Sequence, residues 1–209
     1  MIKTFIEKSW LLIVASLGFG LLLAGTNEWL DPKIKEQQIK KFNSLAGALV
    51  EGATAFESVD ENGIEIKSAK GKPITVDVKK GVNEAGEIVG WAFVAEGSGF
   101  ADKIKIVIAL DGEFKTLKGF GVLSSNETPG FGDKIAKPEH YFVKQFAGTP
   151  AGELTLSKTG DWEKIEGDNE IIAITGATVT SDAIVSIFNT YIEQVRQILI
   201  EKQLLDNKQ

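Results

Sequence analysis

The sequence predicts an α+β protein in which a single N-terminal transmembrane helix leads into an antiparallel-sheet domain closed by a long C-terminal helix. Three observations predict it. No charged residue stands between Lys8 and Glu28, residues from Gly63 to Leu123 alternate with a period of two, and from Ser181 to about Gln203 apolar residues recur at helical spacing. At 209 residues, the chain has room for one domain with a real core plus extra elements.

The run from Trp10 to Gly25 is almost wholly apolar and long enough to cross a bilayer. Trp10 and Trp29 bracket it, roughly 29 Å apart at ~1.5 Å per residue, the spacing at which interfacial Trp residues frame the hydrocarbon layer. A cleaved signal peptide is the competing reading. The run exceeds the usual apolar stretch of about 7–15 residues, and Ala24-Gly25-Thr26 is a weak cleavage site, so a retained anchor is expected. Lys3, Lys8 and the α-amino group precede the helix and predict a cytoplasmic N-terminus, although Lys33 and Lys35 dilute the bias. Residues 1–30 then form the cytoplasmic tip and the transmembrane helix, and 31–209 form an extracytoplasmic domain on the inner (cytoplasmic) membrane.

Asp31-Pro32 reads as the cap and first residue of an amphipathic helix whose face, Ile34, Gln38, Phe42, Leu45 and Leu49, runs to about Val50. Strands are expected at Ile64–Lys67, Ile74–Val78, Ile88–Val94, Ile104–Leu110 and Leu117–Leu123, separated by Gly, Asp, Asn and Pro turns. Pro138–Phe146 suggests a short helix and Leu154–Leu156 a short strand. The C-terminal helix turns Ile184, Ile187, Phe188, Tyr191, Ile192, Val195, Ile198 and Leu199 inward. No internal repeat, low-complexity tract or flexible linker interrupts this order.

Composition narrows the function. A net charge of -6 and a pI near 5.0 remove the attraction to phosphate backbones that a nucleic-acid binder needs. The absence of Cys excludes disulfides, thiolate metal sites and iron-sulfur clusters held by this chain. His140, the single His, has no second imidazole to join in a metal site and reads as a surface or capping residue. No Gly-x-Gly-x-x-Gly turn follows a strand, so the chain has no dinucleotide fingerprint.

One segment concentrates chemistry. In Asn169–Ile184 a buried strand stops at Thr175-Gly176-Ala177 and a helix opens. Gly176 allows a sharp turn, Ala177 keeps the surface clear, and the Thr178 hydroxyl stands beside the free N–H groups of the first helical turn. Thr180, Ser181 and Asp182 offer capping side chains. Such a place suits a phosphate monoester, which meets the positive end of the helix and several backbone donors. From composition alone it suits a plain capped helix as well.

The run Thr175-Gly-Ala-Thr-Val-Thr-Ser181 resembles the flavinylation motif of the FMN-binding domain family. That family includes the G subunit of the Rnf ion-translocating electron-transfer complex and the C subunit of the sodium-pumping NADH:quinone reductase. Glu127-Thr-Pro-Gly-Phe-Gly-Asp-Lys-Ile135 resembles its second signature, and Gly97-Ser-Gly-Phe100 with Ile104–Ile108 resembles its glycine turn and strand. Phe142–Phe146 fits the short helix after that signature.

The resemblance implies covalent FMN on Thr178 through a phosphoester, attached by a separate flavin transferase that uses FAD. Thr175, Gly176, Ala177, Thr180 and Ser181 would then surround the phosphate, and Glu127, Thr128, Pro129, Gly130, Phe131 and Gly132 would border the flavin. Pro129 and Gly130 make a stiff turn whose backbone can bond the edge of a flat ring, and Glu127 near the ring would disfavour an anionic reduced flavin. Thr175 replaces the more usual Ser, Phe131 a common Leu, and Ser124 or Ser125 a usual His whose role is therefore not carried over. No metal site and no complete catalytic site are expected on this chain. The implied function is an electron-relay subunit of an Rnf-type ferredoxin/NAD oxidoreductase coupled to Na+ or H+ transport, working with the other membrane subunits of that complex. Short length and the lack of large insertions favour it over the quinone-reductase C subunit. A stand-alone membrane-anchored FMN domain and a non-redox assembly module are the remaining readings.

Overall fold

The computed structural model describes residues 2–160, 162 and 169–205. The side chains of residues 2–8, Asn27, Trp29 and Asp31 lie outside that description, so the expectations placed on Lys3, Lys8 and the Trp29 edge do too. Helix α1 is Ile2–Leu49, and the chain divides into two compact units, residues 1–41 and 42–209. The expected break at Asp31-Pro32 is absent, because Pro32 lies inside α1. A proline there removes one ladder hydrogen bond, at about 3 kcal/mol, and the turns on either side carry the helix through. Ile34 and Gln38 are exposed, so the buried stripe begins only at Phe42.

In the first unit, Ser9–Thr26 has a mean hydropathy of 1.9 over 18 residues and is wholly unburied, long and apolar enough to cross a membrane. Two of its hydroxyls bond the helix's own backbone. Ser16 donates to Ile13 O at 3.0 Å and Thr26 to Leu22 O at 2.6 Å, as side chains must where water is scarce.

The second unit is built on an antiparallel sheet ordered β1-β4-β5-β6-β7. Its strands are β1 (Ala55–Ser58), β4 (Val78–Val82), β5 (Ile88–Ser98), β6 (Lys103–Asp111) and β7 (Leu117–Ser124). β2 (Ile64–Lys67) and β3 (Pro73–Val76) form a separate hairpin, and β8 (Thr155–Ser157) pairs in parallel with β9 (Glu170–Ile172). The single strand expected at Ile74–Val78 is two: Val76 pairs with Ile64 in the hairpin, while Val78 pairs with Phe93 in the large sheet. Val76 and Val78 are both buried, so the alternation runs on while the hydrogen-bonding partner changes. β1 was not expected; its largely exposed residues carry no alternating apolar signal.

β6 shows why the sheet sits where it does. Ile104, Ile106, Ile108 and Leu110 join the core under the C-terminal helix α3 (Thr178–Glu201), while Val107, on the other face, packs with Phe42, Ala46 and Ala92. A strand covered on both faces reads as a nearly continuous apolar run, which Ile104–Leu110 does. Close approach of the 42–50 segment requires glycine, since a Cβ on Gly90 would stand 2.5 Å from Val50 Cγ1 and one on Gly121 2.8 Å from Leu45 Cδ2. The short helix α2 (Tyr141–Lys144) is locked by aromatic packing, with Phe146 4.9 Å from Phe120 and 4.7 Å from Phe188 between ring centroids. That packing ties α2 to β7 and α3 and brings the segments of the site together.

Candidate functional site

Two tight turns of the same kind face a common cavity of about 510 Å3. In the first, Phe131 N–H bonds Thr128 O at 3.2 Å and Gly130 holds φ at +80°. In the second, Ala177 N–H bonds Ile174 O at 2.9 Å and Gly176 holds φ at +81°. A four-residue turn with its third residue at positive φ is the type II pattern, which glycine fills without steric cost. The first turn runs into a short 3-10 turn, Gly132–Ala136, and the second into the 24 residues of α3.

α3 starts three residues earlier than the periodicity predicts, with Ala177 as its N-cap and Thr178 as its first residue. No side chain caps it: the expected capping by Thr180, Ser181 and Asp182 does not occur. Ser181 instead donates to Ala177 O at 3.0 Å and accepts from Ile174 N–H at 2.9 Å, stitching the turn to the helix from inside. The first intrahelical bond is Ser181 N–H to Ala177 O, so the N–H groups of Thr178, Val179 and Thr180 have no partner within the helix. Uncapped donors at the positive end of a long helix, beside a cavity, make a ready anion site.

The cavity wall is Phe100, Glu127, Thr128, Phe131, Gly132, Gly176, Ala177, Thr178, Val179 and Thr180. Of the residues expected from the sequence, Thr175, Pro129, Gly130 and Ser181 shape the two turns without lining the cavity. Phe100 and Val179 line it unforeseen. Phe100, Phe131 and Val179 are 66%, 53% and 57% exposed and give the cavity an apolar rim.

Glu127 is buried, and both of its carboxylate oxygens are taken. Oε1 accepts from Ala101 N–H at 3.0 Å and Oε2 from the Thr180 hydroxyl at 2.5 Å. In the cavity wall, it would act on a bound group as a nearby charge. Ser125, one of the two serines where the resemblance has His, accepts from Glu127 N–H at 3.3 Å. Behind the second turn, Gln145 bonds both backbone groups of Ile172, and Tyr141 donates to Ala173 O at 2.8 Å. His140 caps α2 by accepting from Phe142 N–H at 3.3 Å, and burial, helped by Lys134 and Lys137, pushes its pKa below the usual value.

Residues 99–193, which span both turns, match the FMN-binding domain family. The G subunit of an ion-translocating oxidoreductase complex from Methanosarcina acetivorans is 29% identical over 88% of this chain and 90% of its own. The crystal structure of NqrC from Shewanella oneidensis shares the fold, with a TM-score of 0.57 at 23% identity over 70% of this chain and 71% of that one. The C subunit of the Na(+)-translocating NADH-quinone reductase from Parabacteroides distasonis has a TM-score of 0.50 at 21% identity over 81% and 83%. The G subunit of the Na(+)-translocating ferredoxin:NAD(+) oxidoreductase complex of Acetobacterium woodii is 32% identical over 91% of each chain, and the present chain belongs with it to the G-subunit family of ion-translocating oxidoreductase complexes, built on an FMN-binding domain.

Proposed function

We propose that this chain is the electron-transfer subunit of a membrane-bound, Rnf-type oxidoreductase that couples ferredoxin/NAD electron transfer to ion transport, and that it carries FMN as a phosphoester on Thr178. The observation that carries this reading is the meeting of the uncapped α3 N-terminus, the Thr178 hydroxyl and an apolar-rimmed cavity of about 510 Å3. The residues fit the group: the volume lies in the roughly 300–1,000 Å3 range of small-molecule sites, and such sites combine apolar walls with a few placed donors. The N–H groups of residues 178–180 would hold the phosphate, and Phe100, Phe131 and Val179 would border the ring. Bound there, a flavin supplies one- and two-electron chemistry that no side chain of this chain offers.

The protein's own part is to orient, attach and tune. Esterification leaves one negative charge on the phosphate, and the partial positive charge of the helix end offsets it by about 0.3–1 kcal/mol, more where partly buried. The tether suits a domain outside the cytoplasm, where a dissociated flavin would be lost. Other membrane subunits of the complex would deliver and remove the electrons, and a flavin transferase would install the cofactor. The apolar helix Ser9–Thr26 would hold the domain on the inner membrane with its N-terminus in the cytoplasm. Protease added to intact spheroplasts should then cut beyond Glu28; cutting only after permeabilisation would reverse the orientation.

Peptide mass spectrometry of chain purified from its native host tests the attachment. An FMN-sized increment on the fragment holding Thr178, absent from Thr178→Ala, is the expected result. An increment on Thr175, Thr180 or Thr128 would overturn the assignment, and a chain without covalent flavin would overturn the linkage.

A further inference from the structure

Glu127 is the one charged residue among the described residues that is buried, at 6% exposed, and it lies in the wall of a site suited to an anion. A carboxylate there opposes a phosphate by like-charge repulsion, and its burial costs free energy unless donors surround it. The donors are present. Ala101 N–H at 3.0 Å and the Thr180 hydroxyl at 2.5 Å match an ionised carboxylate, which only accepts. The chain also makes room for it. A Cβ on Gly99 would stand 2.3 Å from Oε1, and one on Gly132 would stand 2.7 Å from Oε2 and 2.8 Å from Thr180 Oγ1. Three segments thus close on one side chain: the turn between β5 and β6, the start of the 3-10 turn at Gly132, and the first turn of α3. A group that opposes the anion, yet is accommodated this closely, is placed for mechanical work.

We infer that the Glu127–Thr180 hydrogen bond is a latch that holds the first turn of α3 in the orientation in which the Thr178 hydroxyl takes up the flavin phosphate. The inference rests on the attachment reading above. On an α-helix, residues two apart are about 200° apart around the axis, so fixing Thr180 fixes the direction of Thr178. Ser181, bonded to Ile174 and Ala177, prevents the turn from sliding along the axis. Attachment requires Thr178 Oγ to bond to the phosphorus on the FMN side of FAD while the bond from that phosphorus to the bridging oxygen breaks. AMP leaves with that electron pair, and the hydroxyl proton passes to solvent. No oxidant or reductant is involved. A nucleophile oriented before the encounter lowers the barrier by entropy already spent in folding. Glu127 and Thr180 are positioning residues here, acting through Thr178.

The test compares full-length Thr180→Val, Thr180→Ser and native chain as acceptors for the host flavin transferase with FAD, following fluorescence that stays with the chain on a denaturing gel. Thr180→Val keeps the side-chain shape but removes the donor. Its kcat for attachment should fall about tenfold, or roughly 1.4 kcal/mol, with KM for FAD unchanged. Thr180→Ser keeps the donor and should recover most of the rate. Native-like kcat in Thr180→Val, or equal slowing in Thr180→Ser, overturns the latch. If Thr180→Val does not fold by near-UV circular dichroism, Thr180→Ala replaces it: slowed but complete attachment supports the latch, and a native rate overturns it. Native chain that gains no flavin, or gains it elsewhere than Thr178, overturns the attachment reading and the latch together. Native attachment at Thr178 with an unaffected Thr180→Val overturns the latch alone.

Discussion

The two turns that face the cavity share backbone geometry and differ in the element each one opens. Thr128–Phe131 and Ile174–Ala177 each close on a single backbone bond with a glycine near φ +80° in third place. After the first comes a 3-10 turn of 5 residues; after the second, an α-helix of 24. A short turn has almost no aligned dipole, whereas a long helix concentrates positive potential and three free donors at its first turn. A threonine stands in the cavity wall at each, Thr128 opening the first turn and Thr178 directly following the second. Turn geometry alone therefore does not make an anion site. The helix behind it does, and the first turn is left to supply an aromatic ring and a buried carboxylate.

The largest expected effect tests that difference directly. Thr178→Ala should abolish covalent flavin, because the other hydroxyls of the first helical turn, Thr180 and Ser181, are held by Glu127 and by Ile174 and Ala177, while Thr128→Ala should leave it intact. Both chains should remain folded, since truncating a partly exposed threonine leaves no large cavity. Flavin fluorescence on a denaturing gel, read beside thermal midpoints, checks both statements. Loss in Thr128→Ala with retention in Thr178→Ala would invert the comparison.

Gly132→Ala comes next. Its new Cβ would collide with Glu127 Oε2 and Thr180 Oγ1 at 2.7 and 2.8 Å, both already bonded to each other. Overpacking of this kind costs about 1–3 kcal/mol, and a lower thermal midpoint should come with slower flavin attachment. Gly130→Ala is the control: its Cβ meets nothing within 4 Å, so only the φ of +80° is strained and attachment should keep its rate.

Much of this was legible in the sequence because it is local. Period-two runs marked three of the five strands of the large sheet, β5, β6 and β7, and reached β4 only at Val78, and the Thr175–Ser181 run marked the strand-to-helix junction. The features that escaped are those that tertiary contacts decide. Thr180 reads as a cap, and its hydroxyl goes to a residue 53 positions away. Pro32 reads as a helix start because its missing N–H is harmless there, and α1 runs through it. Asp77 reads as an outward residue within one strand, and it marks the crossing from hairpin to sheet. Phe100 carries no periodic signal in its glycine-rich turn, and only the fold brings it to the cavity.

Glu127→Gln separates charge from shape. The amide occupies the same space and keeps an acceptor for Ala101 N–H, so covalent flavin should reach full extent. With a negative charge removed from the cavity wall, electron uptake becomes easier. The flavin potential should rise on the order of 30 mV, which is about 1.4 kcal/mol for two electrons. Spectroelectrochemical titration of the fully flavinylated variant measures it. An unchanged potential would mean that Glu127 does not act on the flavin by charge, leaving it the mechanical role alone.

The smallest effect concerns the point where the two turns meet. A Cβ on Gly176 would stand 3.1 Å from Phe131 Cδ1, so the ring of the first turn lies directly over the glycine of the second. Phe131 is 53% exposed, and Phe131→Leu leaves an apolar side chain at that edge. Stability should move by less than about 0.5 kcal/mol, as for most exposed substitutions. The difference should appear only with flavin attached, because a flat ring can cover a flat cofactor and a branched aliphatic chain covers less of it. Iodide should therefore quench the covalent flavin somewhat more readily in Phe131→Leu, with attachment rate and thermal midpoint unchanged. Equal quenching in the two chains would show that the ring packs on Gly176 alone and does not reach the flavin. A slowed attachment would tie Phe131 to the Thr178 turn more tightly than one contact over a glycine implies.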